Sequence, residues 1–444
     1  MAEVATRTPF TKEALPAPAG EPAFLRALRE RALAEFDALP MPSPETEEWR
    51  YTDITGVDLD FEPFAVGGAA DSLDQVPEDL LAAAGDVGER AGLAIQRNSE
   101  VMTAHLDPTL ERDGVIFIGL DRATAMHPDL VERHLHSLVP SDRTRFTALH
   151  AAFRTGGTFL HVPAGVRVAL PLQTLTFLEA DGAAVFPHTL IVADEGAEVT
   201  FIDRYVSPHL NRALSDAVVE IVAGPEAKVR YVALQEWGDG VQHFSVQRAV
   251  VGRDAELRTL GVAFGGSLAR AEAESLLEGD GGSSEMLGLY FGDAQQHVDH
   301  RSIQDHVGNQ TSSDLLYKGA LQGSSRAIYT GTVVIRKGAH RCNAYQTNRN
   351  VLLSDTAKAH SVPNLEILTN DPVRCGHAAS VGPVSEDELF YLQSRGISPA
   401  EAERIIVTGF FREVLDRVAL PEIRMGLEQA IDRELAAGGR GGTG

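Results

Sequence analysis

Apolar residues recur at three- and four-residue steps at Phe24, Leu25, Leu28, Ala32, Phe36 and Leu39, which predicts an amphipathic helix. Ser43-Pro44 reads as an N-cap with proline at the first helical position, leading into residues 47–51. Residues 67–86 are acidic and rich in Ala and Gly, as a loose connection would be. Residues 114–119 suggest a buried strand. Leu130, His134 and Leu138, then Phe146, Leu149 and Phe153, mark two more helices, the last stopped by a left-handed Gly156-Gly157. Residues 1–155 are thus expected to be mostly helical.

From Thr158 to about residue 382 the apolar period falls to two, in short runs separated by Gly, Asp and Asn. Small-residue turns introduce apolar steps at Ala197, Ala227, Ala255 and Ser283, at intervals of 30, 28 and 28. Later analogues at Ser325, His340, Ala357 and Val373 lie 15, 17 and 16 apart, near half the first interval. Strand after strand at this repeat suits a parallel β-solenoid with two longer strands and two turns per coil. A β-sandwich is the competing architecture.

Helical texture returns at Ser385, whose capping pattern with Glu388 precedes Leu389, Phe390 and Leu392, with Gly396 as the C′ residue. Ser398-Pro399 opens a second helix carrying Ile405, Ile406, Phe410, Val414, Leu415 and Val418, and Pro421 opens a third. The expected fold is mainly β: a parallel β-helix core over residues 156–384, an N-terminal helical region, and C-terminal helices over 385–437. Residues 438–444 are expected to be a flexible tail. One face of the C-terminal helices should pack on the core. Residual apolar surface involving Phe410 and Phe411 would then serve a partner, with full burial of both rings the alternative.

Composition narrows the function. The 444 residues carry 39 Lys+Arg against 63 Asp+Glu, a net charge of −24, which disfavours nucleic acid and anionic membranes. No leader or spanning run is evident, so a cytoplasmic protein is expected. Cys342 and Cys375 cannot make a disulfide framework or an all-cysteine cluster cage. Nucleotide-binding glycine loops, the GxSxG elbow and HExxH are missing from the sequence, which argues against ATPase, dinucleotide, hydrolase and zincin chemistry.

Two clusters remain. In Gln296-His297-Val298-Asp299-His300-Arg301, followed by Asp305-His306, a strand would put His297 and Asp299 on one face and His300 on the other. These histidines are metal ligands or hydrogen-bonded residues of a β-coil. In Arg374-Cys375-Gly376-His377 a thiol and an imidazole project to one face of an extended segment, two ligands suited to iron or zinc. A closed site needs four, with His360 as a third candidate or another chain supplying the rest.

Asn364-Leu-Glu-Ile-Leu368, Arg374-Cys-Gly-His-Ala-Ala-Ser-Val-Gly382 and Glu388-Leu-Phe-Tyr-Leu-Gln-Ser-Arg-Gly-Ile397 resemble the SufB/SufD family of iron–sulfur cluster assembly proteins. The resemblance extends through Val298-Asp-His300, Tyr317-Lys-Gly319, Gly331 and residues 346–355, and Glu47-Glu-Trp-Arg-Tyr-Thr52 resembles an amino-terminal signature of D-type members. Residues 345–353 hold Arg349 where B-type members carry their principal cysteine, and His377-Ala-Ala-Ser380 replaces the B-type His-Glu-Ala-Thr. The resemblance is therefore to the D-type branch.

That resemblance implies a right-handed parallel β-helix and a non-enzymatic scaffold that pairs with SufB through the β-helices. It implies binding of the ABC-type ATPase SufC through the C-terminal helices, with Phe390, Tyr391, Arg395, Ile405, Phe410 and Phe411 as contact residues. His377, and after it Cys375, would handle iron or a transient cluster at the SufB–SufD interface, with no cofactor held by the isolated chain. Flavin binding and a homodimer in the absence of SufB stay open. The rival readings are a β-helix carbohydrate lyase or hydrolase and a self-sufficient iron-binding homodimer.

Overall fold

The computed structural model describes residues 8–438 apart from 19 and 86. Its helices are α1 (Ala23–Ala38), α2 (Glu78–Ala83), α3 (Pro108–Arg112), α4 (Leu120–Met126), α5 (Pro128–His134), α6 (Arg145–Phe153), α7 (Glu386–Ser394), α8 (Pro399–Leu415) and α9 (Pro421–Gly438). The strands form two ten-stranded sheets. The first runs, in spatial order, β2 (Glu100–Leu106), β1 (Gly92–Arg97), β5 (Leu172–Phe177), β8 (Glu198–Val206), β10 (Lys228–Glu236), β12 (Glu256–Ala263), β14 (Ser283–Gly292), β16 (Ser312–Leu321), β18 (Asn343–Leu352) and β20 (Arg374–Pro383). The second runs β19 (Lys358–Ile367), β17 (Arg326–Ile335), β15 (His297–His306), β13 (Leu268–Leu277), β11 (Val241–Val251), β9 (Ala213–Ala223), β7 (His188–Ala193), β4 (Thr158–Val162) and β3 (Ile116–Gly119), with β6 (Ala184–Val185) beside β9.

Consecutive strands alternate between the sheets and pair in parallel with the strand one coil away, so the core is a β-solenoid rather than a sandwich. Glu198, Lys228, Glu256, Ser283, Ser312, Asn343 and Arg374 stack in one column at intervals of 30, 28, 27, 29, 31 and 31 residues. The half-interval seen later in the sequence is the step from one sheet to the other. Ser283 stacks on Glu256 rather than Ala255, a one-residue shortening that the turn pattern hides.

Early coils fill the lumen with Ile191, Val199, Phe201, Ile221, Val229 and Leu257, each contributing on the order of 1.5–3 kcal/mol by burial. Later coils change chemistry. Tyr290, Tyr317 and Tyr329 enter the lumen with His300, Gln346, Asn348 and Asn350, and Tyr290 Oη donates to Asn350 Oδ1 at 2.6 Å. Gly288 and Gly319 make room for these rings, because a Cβ on Gly288 would overlap Tyr317 and one on Gly319 would overlap Tyr290.

The N-terminal part is less helical than its pattern suggests. β1, β2 and β3 join the two sheets, and β2 and β3 pair antiparallel with their neighbours, closing that end of the solenoid. Residues 47–49 form one 3-10 turn rather than a helix capped at Ser43, and α2 interrupts the expected 67–86 connection. Gly156 and Gly157 have positive φ but lie beyond Arg154, the residue that ends α6. At the other terminus Ser385 accepts from Glu388 N and Ser398 from Glu401 N, both at 3.3 Å, and Gly396 has φ 85°, as the capping pattern predicts. Gly438 ends α9, and the rest of the expected tail, residues 439–444, lies outside the described residues.

Candidate functional site

Among the described residues, each sheet ends at the C-terminal side of the solenoid in a strand with one neighbour, β19 in one and β20 in the other. An unpaired strand edge offers free N–H and C=O groups to another chain. Ile367, Leu368, Val373 and Val381 are exposed around this end, forming an apolar rim.

Cys375 and His377 lie on the inward face of β20. Val199, Val229, Leu257, Ser284, Ser313, Ala344 and Cys375 form one inward column; Phe201, Tyr231, Thr259, Met286, Leu315, Gln346 and His377 form the next. In every earlier coil such residues are covered on both sides. At β20 the outer side is uncovered, which leaves His377 exposed and Cys375 half-buried. The expected shared face is therefore present, and it is the mouth of the lumen.

Cys342 lies fully buried in the cluster with Val333, Ile335, Ala339 and Ala344 against which Cys375 packs. Burial, and secondarily Cys342, pushes the Cys375 thiol up. A thiolate at Cys375 needs a cation, supplied by a metal or by a second chain.

His360 is not the third ligand. It occupies the outward face of β19 and stacks on Tyr51 with ring centroids 5.9 Å apart. The other histidine cluster divides as strand geometry requires. His297 and Asp299 face outward to Thr52, at 3.1 Å and 2.6 Å, while His300 packs inward on Tyr290 at 4.9 Å. His306 bonds Thr311 at 2.7 Å and Ser313 at 2.8 Å. His297 and His306 are thus held by hydrogen bonds and His300 by ring packing, and among the described residues the three do not converge on one metal position.

The Glu47–Thr52 signature has a structural role that its sequence conceals. The Glu48 carbonyl accepts from Arg270 at 3.0 Å and Arg301 at 2.8 Å, while the Arg270 guanidinium lies 3.8 Å over Trp49. This strap crosses the outer face of the second sheet and ends near the open coil.

On the first sheet, buried Lys318 donates to the Phe410 carbonyl and pairs with Glu413, each at 2.7 Å. The bonds anchor α8. Phe411 is fully buried against the solenoid among Val407, Val414 and Leu289, so it is not a contact residue for a partner. Phe410 is partly buried. Phe390, Tyr391 and Ile405 are 74%, 56% and 41% exposed, and Arg395 lies 4.8 Å over Tyr391. An apolar patch edged by charge thus faces outward from α7 and α8.

A family model described as the SUF system FeS cluster assembly, SufBD core domain, matches residues 176–410, and one for the SufBD protein N-terminal region matches residues 10–174. The chain is 32% identical to the iron-sulfur cluster assembly protein SufD of Bacillus subtilis over 422 residues, covering 94% of this chain and 95% of that protein. It is 37% identical to an iron-sulfur cluster assembly SufBD family protein of Mycobacterium tuberculosis, covering 67% of this chain and 75% of that one. A Staphylococcus aureus protein of the same description is 30% identical, with 88% and 85% covered.

Proposed function

The chain belongs to the SufBD family of SUF-system iron–sulfur cluster assembly proteins, and from that premise we propose that it is a non-enzymatic scaffold subunit whose open coil end docks on SufB. One observation carries the reading: the last coil exposes two unpaired strand edges, an apolar rim and an incomplete ligand pair, Cys375 and His377, at a single surface. A protein that held its cargo alone would complete the coordination shell with its own residues. Here SufB supplies the missing thiolate, and iron or a nascent cluster is the cargo.

The exposed Phe390, Tyr391 and Ile405 patch receives the SufC ATPase. Nucleotide-driven movement of SufC is transmitted through α8, which Lys318 ties to β16. The same reading puts the work in the cytoplasm, where free thiols such as Cys375 stay reduced. Coexpression with SufB and SufC tests it. His377→Ala leaves the three-protein complex intact on a sizing column and abolishes anaerobic cluster formation. Undiminished cluster formation by that variant would remove His377 from the mechanism.

A further inference from the structure

A second convergence of ligands lies far from the open end. His136 follows α5, His150 is on α6 and His188 is on β7, and all three rings are buried against the outer face of the second sheet. One nitrogen from each ring lies within 4.8 Å of the other two. Their centroids are 5.0 to 5.6 Å apart.

The outer hydrogen bonds fix the proton on each ring. His136 Nδ1 lies 3.0 Å from the Val139 carbonyl and His150 Nδ1 lies 2.9 Å from the Asp216 carbonyl. A carbonyl only accepts, so both Nδ1 atoms carry hydrogen and both Nε2 atoms hold a lone pair. His188 Nε2 lies 3.1 Å from Glu220 Oε2. That carboxylate also accepts from the backbone N–H groups of His136, Leu138 and Val139 at 2.6 to 3.0 Å, as an anion does. His188 therefore donates from Nε2 and turns the lone pair of Nδ1 inward.

The result is an electrostatic conflict. His150 Nε2 and His188 Nδ1 stand 3.2 Å apart with a lone pair on each, and buried His136 Nε2 has no partner among the described residues. Leaving such atoms unpaired in the interior forfeits their full solvation by water. A cation between them removes the conflict. Two imidazole nitrogens on a tetrahedral zinc-sized ion, at ~2.0–2.1 Å from it, are roughly 3.3 Å apart, close to the 3.2 Å of the His150–His188 pair, with the His136 nitrogen within 4.8 Å of both. Each ligating imidazole would keep its other N–H on a carbonyl or carboxylate, the arrangement that orients metal-binding histidines. His136 is held at φ 57°, a strained backbone for a residue with a side chain, and the Glu220 carboxylate holds it there. Arg154, the nearest buried cation on α6's end, is paired with Asp121 at 2.9 Å.

We propose that His136, His150 and His188 form a divalent transition-metal site of the zinc class, with Glu220 orienting His188 and the His136 loop. Three imidazoles leave a fourth position for water or a small anion. The ion pins the α5–α6 connection and α6 to β7 and β9 and is separate from the cargo handled at Cys375 and His377.

Co2+ is the probe, because its visible bands report coordination geometry directly. The untagged full-length chain carrying Cys375→Ser and His377→Ala is stripped with a chelator and titrated, so that the coil end cannot contribute. About one Co2+ per chain is expected, with four-coordinate bands, and His150→Ala abolishes them. Glu220→Gln weakens binding by ~10- to 100-fold. Should His150→Ala not fold, His136→Asn, which tolerates the left-handed backbone, is read in its place. A folded starting protein that binds less than a tenth of an equivalent after loading, or bands that persist in the histidine variant, would overturn the site.

Discussion

A tyrosine laid over a glycine recurs in the late coils, and it sets how tightly they are packed. Gly319→Ala places a methyl group against the Tyr290 ring inside a full lumen, and stability should fall by about 1–3 kcal/mol, read from the urea midpoint at constant slope. His300 sits in the same layer, and burial holds its imidazole down at about 4 instead of the ordinary 6.5. The unfolded chain takes up that proton below 6.5 while the folded one refuses it until about 4. Stability carried by this group is therefore complete above pH 6.5 and drains as pH falls toward 4. Asp203, pushed up to about 6 by burial, works against this over part of the range, since the folded form binds its proton first. Urea midpoints measured between pH 7 and about 4.5 should fall less steeply for His300→Gln than for the natural sequence. Cys375 and His377 were legible because a Cys-x-His step on an extended chain shares a face whatever the fold. The nearness of Cys342 was not: a 31-residue coil at that point puts Ala344 directly under Cys375, and Cys342 joins the same cluster from just before β18, when the earlier turns suggest a coil of 28.

Among elements, the capping serines show how directly local chemistry can be read. Ser385 and Ser398 stand where their side chains satisfy first-turn N–H groups, and α7 and α8 begin where the sequence says. Which face those helices bury is a different matter. Phe410 and Phe411 are adjacent and equally apolar, and only the position of β14 and β16 decides that Phe411 goes under. β3 falls where residues 114–119 suggest a strand, but β1 stayed hidden for a related reason: it is brief and flanked by turns, and its parallel partner β5 lies far along the chain. The exposed face supports a sharp test. Phe390→Glu combined with Tyr391→Glu alters side chains that the solenoid does not need, so thermal stability should stay within about 0.5 kcal/mol. Copurification of SufC should be lost while that of SufB is kept; loss of both would point to general damage.

For the whole molecule, the two ends of the solenoid are unlike. Antiparallel β2 and β3 seal one, whereas β19 and β20 leave the other open with Val373 and Val381 exposed at 65% and 41%. Val373→Glu with Val381→Glu should leave the chain folded, with unchanged far-ultraviolet dichroism, and should abolish the SufB complex on a sizing column through charge placed in an apolar contact. Retention of that complex would put the docking surface elsewhere. The repeat, the two-strand coil and the flanking helices were all readable from period and spacing. The sealing of one end alone was not, because it rests on a reversal of strand direction that leaves no mark on periodicity.

The strap from Trp49 to Tyr51 also measures. Trp49 touches Phe244 of β11 and Arg270 of β13, the Glu48 carbonyl reaches Arg301 of β15, and Tyr51 arrives at His360 of β19. Solenoids can in principle gain or lose a rung without disturbing the others, yet here a fixed length of peptide is pegged at both ends. An added rung between β11 and β19 would leave Tyr51 short of its mark, so the strap acts as a gauge that holds the rung count constant.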